Sequence, residues 1–169
     1  MSRWREPREK SSPYITAQGY SALEQEQDGL WSRRTDVTRA LSAAAAEGDR
    51  SENAEYIYRK KELRGIDSRI AYLQRRMPEL NIVTQVSDHA RVFFGARVLL
   101  ENDAGEETRY RIVGADELSE HEGGISVDSP LARALLGKKL DDEISVRVGD
   151  NTMIYYLAAI DYTELLSPQ

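Results

Sequence analysis

The chain contains no cysteine in 169 residues, so neither a disulfide frame nor a thiolate metal site can hold it together. No apolar run approaches the roughly 18 residues of a membrane span. The first thirteen residues are polar and mixed in charge, without the apolar stretch of a signal peptide, and read as a disordered tail. The protein is therefore expected to be soluble and, most simply, cytoplasmic. Also missing are a glycine-rich phosphate loop, a G-x-S-x-G elbow and a dinucleotide fingerprint, which leaves a self-contained enzyme without support. His89 and His121 lack cysteine partners and ligand spacing, and both read as surface residues. Trp4 and Trp31 carry no argument.

Charge is unevenly spread. The formal balance is −6, but residues 1–80 hold 15 Lys/Arg against 13 Asp/Glu, whereas 81–169 hold 8 against 16. An acidic C-terminal half argues against that half gripping nucleic acid electrostatically. The pattern of the chain also changes near residue 80, which favours two modest domains.

What is present begins with a periodicity. Tyr20, Leu23, Gln27, Leu30, Arg34, Val37, Leu41 and Ala44 alternate steps of three and four. Tyr56, Arg59, Leu63, Ile66, Ile70, Leu73, Met77 and Leu80 do the same. Both are coiled-coil seams with three polar members, Gln27, Arg34 and Arg59. Separated by a few turn residues, they can satisfy each other only as an antiparallel hairpin over residues 14–80. About thirty residues per arm at 1.5 Å rise would carry the turn roughly 45 Å from the base. Helix one is expected to start near Thr16 as N-cap and to stop at Gly48, with Gly19 and Gly29 each weakening it by roughly 1 kcal/mol. Helix two is expected from Asp49–Glu52 to Met77, because Pro78 disfavours helical geometry in the residue before it.

Residues 81–90 read as a linker, and strand periods follow over 91–169. Arg91–Leu100 predicts a strand with a bulge at Gly95. A turn at Asn102–Gly105 leads to a returning strand over Thr108–Val113. Gly123–Val127 predicts a short strand, and Pro130 opens a short helix over Leu131–Leu136 closed by Gly137. Glu143–Val148 and Met153–Tyr162, joined at Gly149–Asn151, form a last hairpin. The expected class is α+β: a long N-terminal coiled-coil hairpin, then a small, curved antiparallel sheet with one short helix.

Two clusters carry candidate chemistry. In the turn, Asp49 as N-cap and Glu52 three residues later match a capping box, in which each side chain satisfies a free backbone N–H. The same two carboxylates suit Mg²⁺, which keeps waters and shares its ligands with phosphates, so they could complete a metal site on a partner. Beyond the turn, residues 59–76 carry Arg59, Lys60, Lys61, Arg64, Arg69, Arg75 and Arg76 against Glu62 and Asp67. That run is either a solvated helix face or a track for a phosphate backbone. Lys60, Lys61 and Arg64 stand nearest the acidic pair.

The stretch Gly-Asp-Arg-Ser-Glu-Asn-Ala-Glu-Tyr at 48–56, followed by Arg-Lys-Lys-Glu-Leu-Arg at 59–64, resembles the bacterial Gre transcript-cleavage factors, and among them the GreB branch. Phe93-Phe94-Gly95-Ala96, Tyr110-Arg111-Ile112-Val113-Gly114 and Asp128-Ser129-Pro130-Leu131-Ala132-Arg133-Ala134-Leu135 extend the likeness from about Tyr14 to Tyr162. The resemblance implies an FKBP-like globular domain without isomerase activity. It also implies a partner, bacterial RNA polymerase, whose secondary channel the hairpin enters within an assembly of DNA and nascent RNA. By residue match, Asp49 and Glu52 would be the catalytic acids, helping to hold a Mg²⁺ shared with the polymerase active site and not bound by the isolated protein. Asp128, Ser129 and Pro130 match the polymerase-docking loop, and Lys60, Lys61 and Arg64 would contact RNA.

On that resemblance the chain is a monomeric accessory factor, not an enzyme: the hydrolase acting on backtracked RNA is the polymerase. The alternatives are a channel-binding regulator that does not promote cleavage, and a coiled-coil adaptor or chaperone. Two departures from the family stand out. The tail before Tyr14 is longer, and Asp36 replaces a frequent proline, which should leave helix one straighter.

Overall fold

The computed structural model describes residues 10–46 and 53–166. They form two compact units, Tyr20–Leu80 on the one hand and residues 10–19 with 81–166 on the other. The first unit is the helical hairpin. Its arms are α1 (Ala17–Ala46), whose first turn belongs to the other unit, and α2 (Ala54–Arg76). With no proline inside it, α1 runs 30 residues without a break. A 3₁₀ turn over Met77–Glu79 ends α2 at the proline, as expected.

Every position of both predicted seams is buried or half-buried. The apolar centre is Val37 against Ile66 and Ile70, with Leu30 and Leu63 packed around it. Two of the three polar seam members are neutralised: Arg34 Nε donates to Asp67 at 2.7 Å, and Arg59 is held by Glu55 and Glu62. Arg33 to Glu62 and Arg69 to Glu26 tie the arms together further along. Exposed pairs of this kind contribute about 0–1 kcal/mol each, so they set register more than stability.

The second unit is built on a five-stranded sheet. Its strands are β3 (Arg97–Asn102), β4 (Glu107–Val113), β5 (Gly124–Ser126), β6 (Glu143–Val148) and β7 (Asn151–Asp161), in the order β5-β4-β3-β7-β6. The expectation of an antiparallel sheet needs one correction, because β4 and β5 run parallel. A further two-stranded parallel sheet joins β1 (Tyr14–Thr16) to β2 (Asn81–Val83), so residues read as linker supply a strand. Parallel pairing between segments this far apart leaves no local signal such as a turn. Two short helices, α3 (Pro130–Leu135) and α4 (Thr163–Leu166), replace the single one expected. The core gathers Val92, Phe94, Val98, Leu100, Ile112, Ile144, Val146 and Leu157 under Ala132 and Leu135 of α3 and Leu165 of α4.

The long strand expected over Arg91–Leu100 begins only at Arg97. Gly95 is no bulge: its φ of +85° turns the chain into β3, and a β-carbon there would collide with Leu165. The irregularity in the sheet lies instead in the β3–β7 pairing, between Leu99 and Leu100.

A buried polar network fixes the start of α1. Thr16 caps the helix by accepting the Gly19 N–H at 3.0 Å. Glu117, fully buried, accepts from the Thr16 N–H at 3.0 Å, from the Thr16 hydroxyl, and from the Gly114 N–H at 2.7 Å. His121 completes the set and corrects the surface reading of that residue: only 7% exposed, it lies 2.9 Å from the Glu117 carboxylate and 2.9 Å from Arg111. The arginine can only donate, so Nδ1 of His121 accepts and Nε2 carries the proton toward Glu117. Arg111 and Arg97, directly opposite on neighbouring strands, share the Glu164 carboxylate of α4, which offsets their repulsion. His89 is exposed, as expected, beside the Tyr162 ring.

The network explains one of the two helix glycines. A β-carbon at Gly19 would overlap the Glu117 side chain, whereas one at Gly29 would meet open space. Gly29→Ala should therefore stabilise the protein by up to about 1 kcal/mol, while Gly19→Ala should destabilise it by more than that. Urea unfolding of both variants checks this, and a shift in the same direction would remove Glu117 as the reason for Gly19.

Burial alone would raise the pKa of Glu117, but the hydrogen bonds from His121, Thr16 and Gly114 outweigh it and hold the carboxyl below its ordinary value. A lowered folded pKa stabilises fully above the unfolded value, near 4.3, and the contribution disappears as pH falls through the folded one. Glu117→Gln should thus lose about 1–3 kcal/mol at neutral pH and show a flatter acid limb. Urea unfolding from pH 7 downward reads both. An equal loss at pH 3 and pH 7 would mean that the charge contributes nothing.

Candidate functional site

The site is built on the start of α2. Helix two begins at Ala54, later than the expected Asp49–Glu52, and its N-cap is Asn53 in extended geometry (φ −82°, ψ 103°). The Asn53 side-chain oxygen accepts the Tyr56 N–H at 3.1 Å, and its amide donates to the Ala44 carbonyl of α1, also at 3.1 Å. Asparagine caps as well as aspartate does, so the capping role expected of Asp49 falls to Asn53. Asp49 and Glu52 lie outside the described residues. Glu55 occupies the first turn, where the helix dipole favours an anion.

The basic stretch separates into two sets. Arg59 is clamped by Glu55 at 2.8 Å and Glu62 at 3.1 Å. Arg69 grips Glu26 through two bonds of 2.6 and 2.8 Å, and Arg76 is buried with Glu79 3.7 Å away. These contacts lower the pKa of Glu62, chiefly through Arg33, and that of Glu26, chiefly through Arg69. Lys60, Lys61 and Arg64 are all exposed and make no ion pair among the described residues. Among the described residues, the partner of Lys60 is the Tyr56 ring, 5.8 Å away. A residue count cannot separate paired from unpaired cations, but Lys60, Lys61 and Arg64, which follow the paired Arg59, form no ion pair among the described residues.

Sequence reasoning missed the apolar side chains beside them. Ile57 and Tyr58 are 55% and 61% exposed on the first turns of α2. Neither fits the seam spacing, which was the available signal.

In the globular unit, the three residues of the predicted docking loop are brought together but are engaged differently. The half-buried Asp128 accepts the Ser12 N–H at 2.9 Å and the Ser12 hydroxyl, so the chain's own N-terminal segment occupies its carboxylate. Ser129 caps α3 by accepting the Ala132 N–H at 3.2 Å. Pro130, at the first turn of α3, is exposed. Ser12 belongs to the tail expected to be disordered, of which residues 1–9 lie outside the described residues.

No helix of the described residues is long and apolar enough to cross a membrane. Two family models match in tandem: "Transcription elongation factor, N-terminal" over residues 13–82, and "Transcription elongation factor, GreA/GreB, C-term" over residues 87–162. The transcription elongation factor GreB of Xanthomonas axonopodis pv. citri is 53% identical over 98% of this chain and all of its own length. That of Pseudomonas aeruginosa is 52% identical over 96% of this chain and 98% of its own. Among solved structures, the transcription factor Gfh1 aligns over 87% of this chain and 96% of its own at 24% identity, with a TM-score of 0.42. Two family models in the order of the two units, and identity above half along nearly the full length of both relatives, place the chain in the GreA/GreB family of transcription elongation factors, on its GreB side.

Proposed function

We propose that this chain binds bacterial RNA polymerase in the cytoplasm as a monomer, inserts its helical hairpin into the secondary channel, and stimulates Mg²⁺-dependent cleavage of the 3′ end of backtracked RNA. The observation that carries the proposal is the division of labour at the start of α2. Asn53 caps α2 and donates to the Ala44 carbonyl of α1, so the N-cap of α2 is an amide rather than one of the acids, and the adjacent flank displays three cations that form no ion pair among the described residues.

Two carboxylates make an incomplete donor set of hard oxygens, which fits a Mg²⁺ whose other ligands come from the polymerase, RNA phosphate and water. Bound there, the ion would supply an activated water and stabilise the leaving 3′ oxygen. Asp49 and Glu52 would hold and orient; Lys60, Lys61 and Arg64 would grip the phosphates of the extruded strand and keep it in line. The chain itself would form no bond with RNA and would remain an accessory factor. Asp128, Ser129 and Pro130 would set the globular unit on the polymerase, an acidic module suited to protein contact rather than RNA.

The direct test is a cleavage assay on a stalled, backtracked elongation complex with and without the protein. Asp49→Ala or Glu52→Ala should abolish stimulated cleavage while leaving polymerase binding near wild type. The helix should survive, because its cap is Asn53. Normal cleavage by either variant would reduce the acids to solvated turn residues, and stimulation absent from the wild type would favour a regulator that does not promote cleavage.

The docking loop gives a second expectation. Pro130→Ala should weaken polymerase binding without loss of cleavage at saturating protein, as the ring is exposed. Asp128→Ala should weaken binding too, but should also release Ser12 and lower stability by about 1 kcal/mol. Titrating polymerase while following unfolding separates the two effects. Unchanged binding in the Pro130 variant would move docking away from this loop.

A further inference from the structure

We propose that Tyr58, with Ile57 beside it, forms a stacking platform for a base of single-stranded RNA, so that α2 holds the strand by its bases as well as by its phosphates. The inference rests on the reading that the hairpin meets extruded RNA and names the residue that would order it.

Tyr58 is the most exposed large apolar side chain among the described residues, at 61%, and its neighbour Ile57 is exposed to 55%. Both lie away from the seam, so neither contributes to packing between the arms. Helical spacing puts Ile57 next to Lys60 and Lys61, Tyr58 next to Lys61, and Lys61 next to Arg64. The exposed apolar pair and the three unpaired cations thus share one surface two turns long. Isolated exposed aromatics are ordinary, but a pair of large apolar groups set among unpaired cations is not.

The ring is also held in place. The Arg59 guanidinium lies 5.6 Å from the Tyr58 ring centroid and is itself fixed by Glu55 and Glu62. A ring ordered before binding loses less freedom when a ligand arrives. The Tyr58 hydroxyl makes no hydrogen bond among the described residues, so the ring, not the hydroxyl, is the feature on offer. A ligand that matches cations and an open aromatic face together is a polyanion carrying flat apolar groups. A single-stranded nucleic acid has both, whereas a duplex keeps its bases inside. An acidic protein segment would satisfy the cations and leave the ring unused.

The test uses the full chain on stalled elongation complexes with short and long extruded 3′ ends, carrying a photoreactive thiouridine at successive extruded positions. We expect one position of the long end to crosslink to α2 between Ile57 and Lys61. Tyr58→Ala should lose that crosslink and slow cleavage of the long end roughly tenfold, with little effect on the shortest end. Tyr58→Phe should retain both. An abasic nucleotide at the crosslinking position should slow the wild type by the same factor and leave Tyr58→Ala unaffected. Equal slowing of short and long ends would mean that the patch meets polymerase protein instead, and would overturn the proposal. So would the absence of any crosslink to α2, or abasic and Tyr58 effects that multiply. A wild-type chain that crosslinks but stimulates no cleavage would remove the proposed function while leaving the platform in place.

Discussion

Asn53 carries the constraint on which the hairpin depends. A helix leaves its first amides and last carbonyls without intrahelical partners, and a turn between two helices must satisfy both sets within a few residues. The oxygen of this one side chain accepts from the first turn of α2, while its nitrogen donates to the Ala44 carbonyl in the last turn of α1. The ends of the arms are thereby tied to each other through an uncharged group. A carboxylate in that position could accept but not donate, and would leave the α1 carbonyl for water. Because the capping is done by an amide, the first turn of α2 is satisfied without a carboxylate at its N-cap.

The charges along the arms follow a second sorting. Arginines near the seam are paired, to Glu62, Asp67 and Glu26 across the hairpin and to Glu55 along α2, while Lys60, Lys61 and Arg64 on the outer side are not. The first set cancels locally and mostly fixes which residues stand opposite each other. The second projects a field, screened beyond about 8 Å at physiological salt, that only a close anion can feel. Stability comes from elsewhere, from Val37, Ile66 and Ile70 and their half-buried neighbours. The positive face can therefore vary without disturbing the seam, which separates what a surface does from what holds it up.

Legibility differed between the units for physical reasons. In the hairpin, burial follows a strict three-four spacing, so every seam position could be read, including polar ones such as Arg34 whose partner Asp67 lies far along the chain. The start of α2 was misplaced because Asp49, Glu52 and Asn53 are all competent caps and spacing alone does not rank them. In the globular unit the hairpins and the capped helix at Pro130 showed through their turns. The β1–β2 pairing, the parallel β4–β5 edge and α4 did not, since each depends on partners remote in sequence. His121 was misread because its role is set by Glu117 and Arg111, which only the fold brings to it. The predicted site residues split likewise: the cations near α2 and the docking loop are placed, while the acidic pair lies outside the described residues.

The docking loop shows how a candidate binding surface can be assembled from groups with internal work. Asp128 receives both the amide and the hydroxyl of Ser12, and Ser129 spends its hydroxyl on the first turn of α3. One residue on, the Pro13 carbonyl accepts the Asn81 N–H at 2.6 Å, so the same N-terminal segment is continuous with the β1–β2 pair. A loop braced from both sides changes shape little on binding, and its affinity then depends on what it presents more than on what it must order. What it presents is the Pro130 ring and the backbone around it, on a module with a strong excess of negative charge. That module is poorly suited to hold RNA and well suited to hold protein. Lys60, Lys61 and Arg64 belong to the hairpin unit, whereas the groups that brace this loop belong to the globular one.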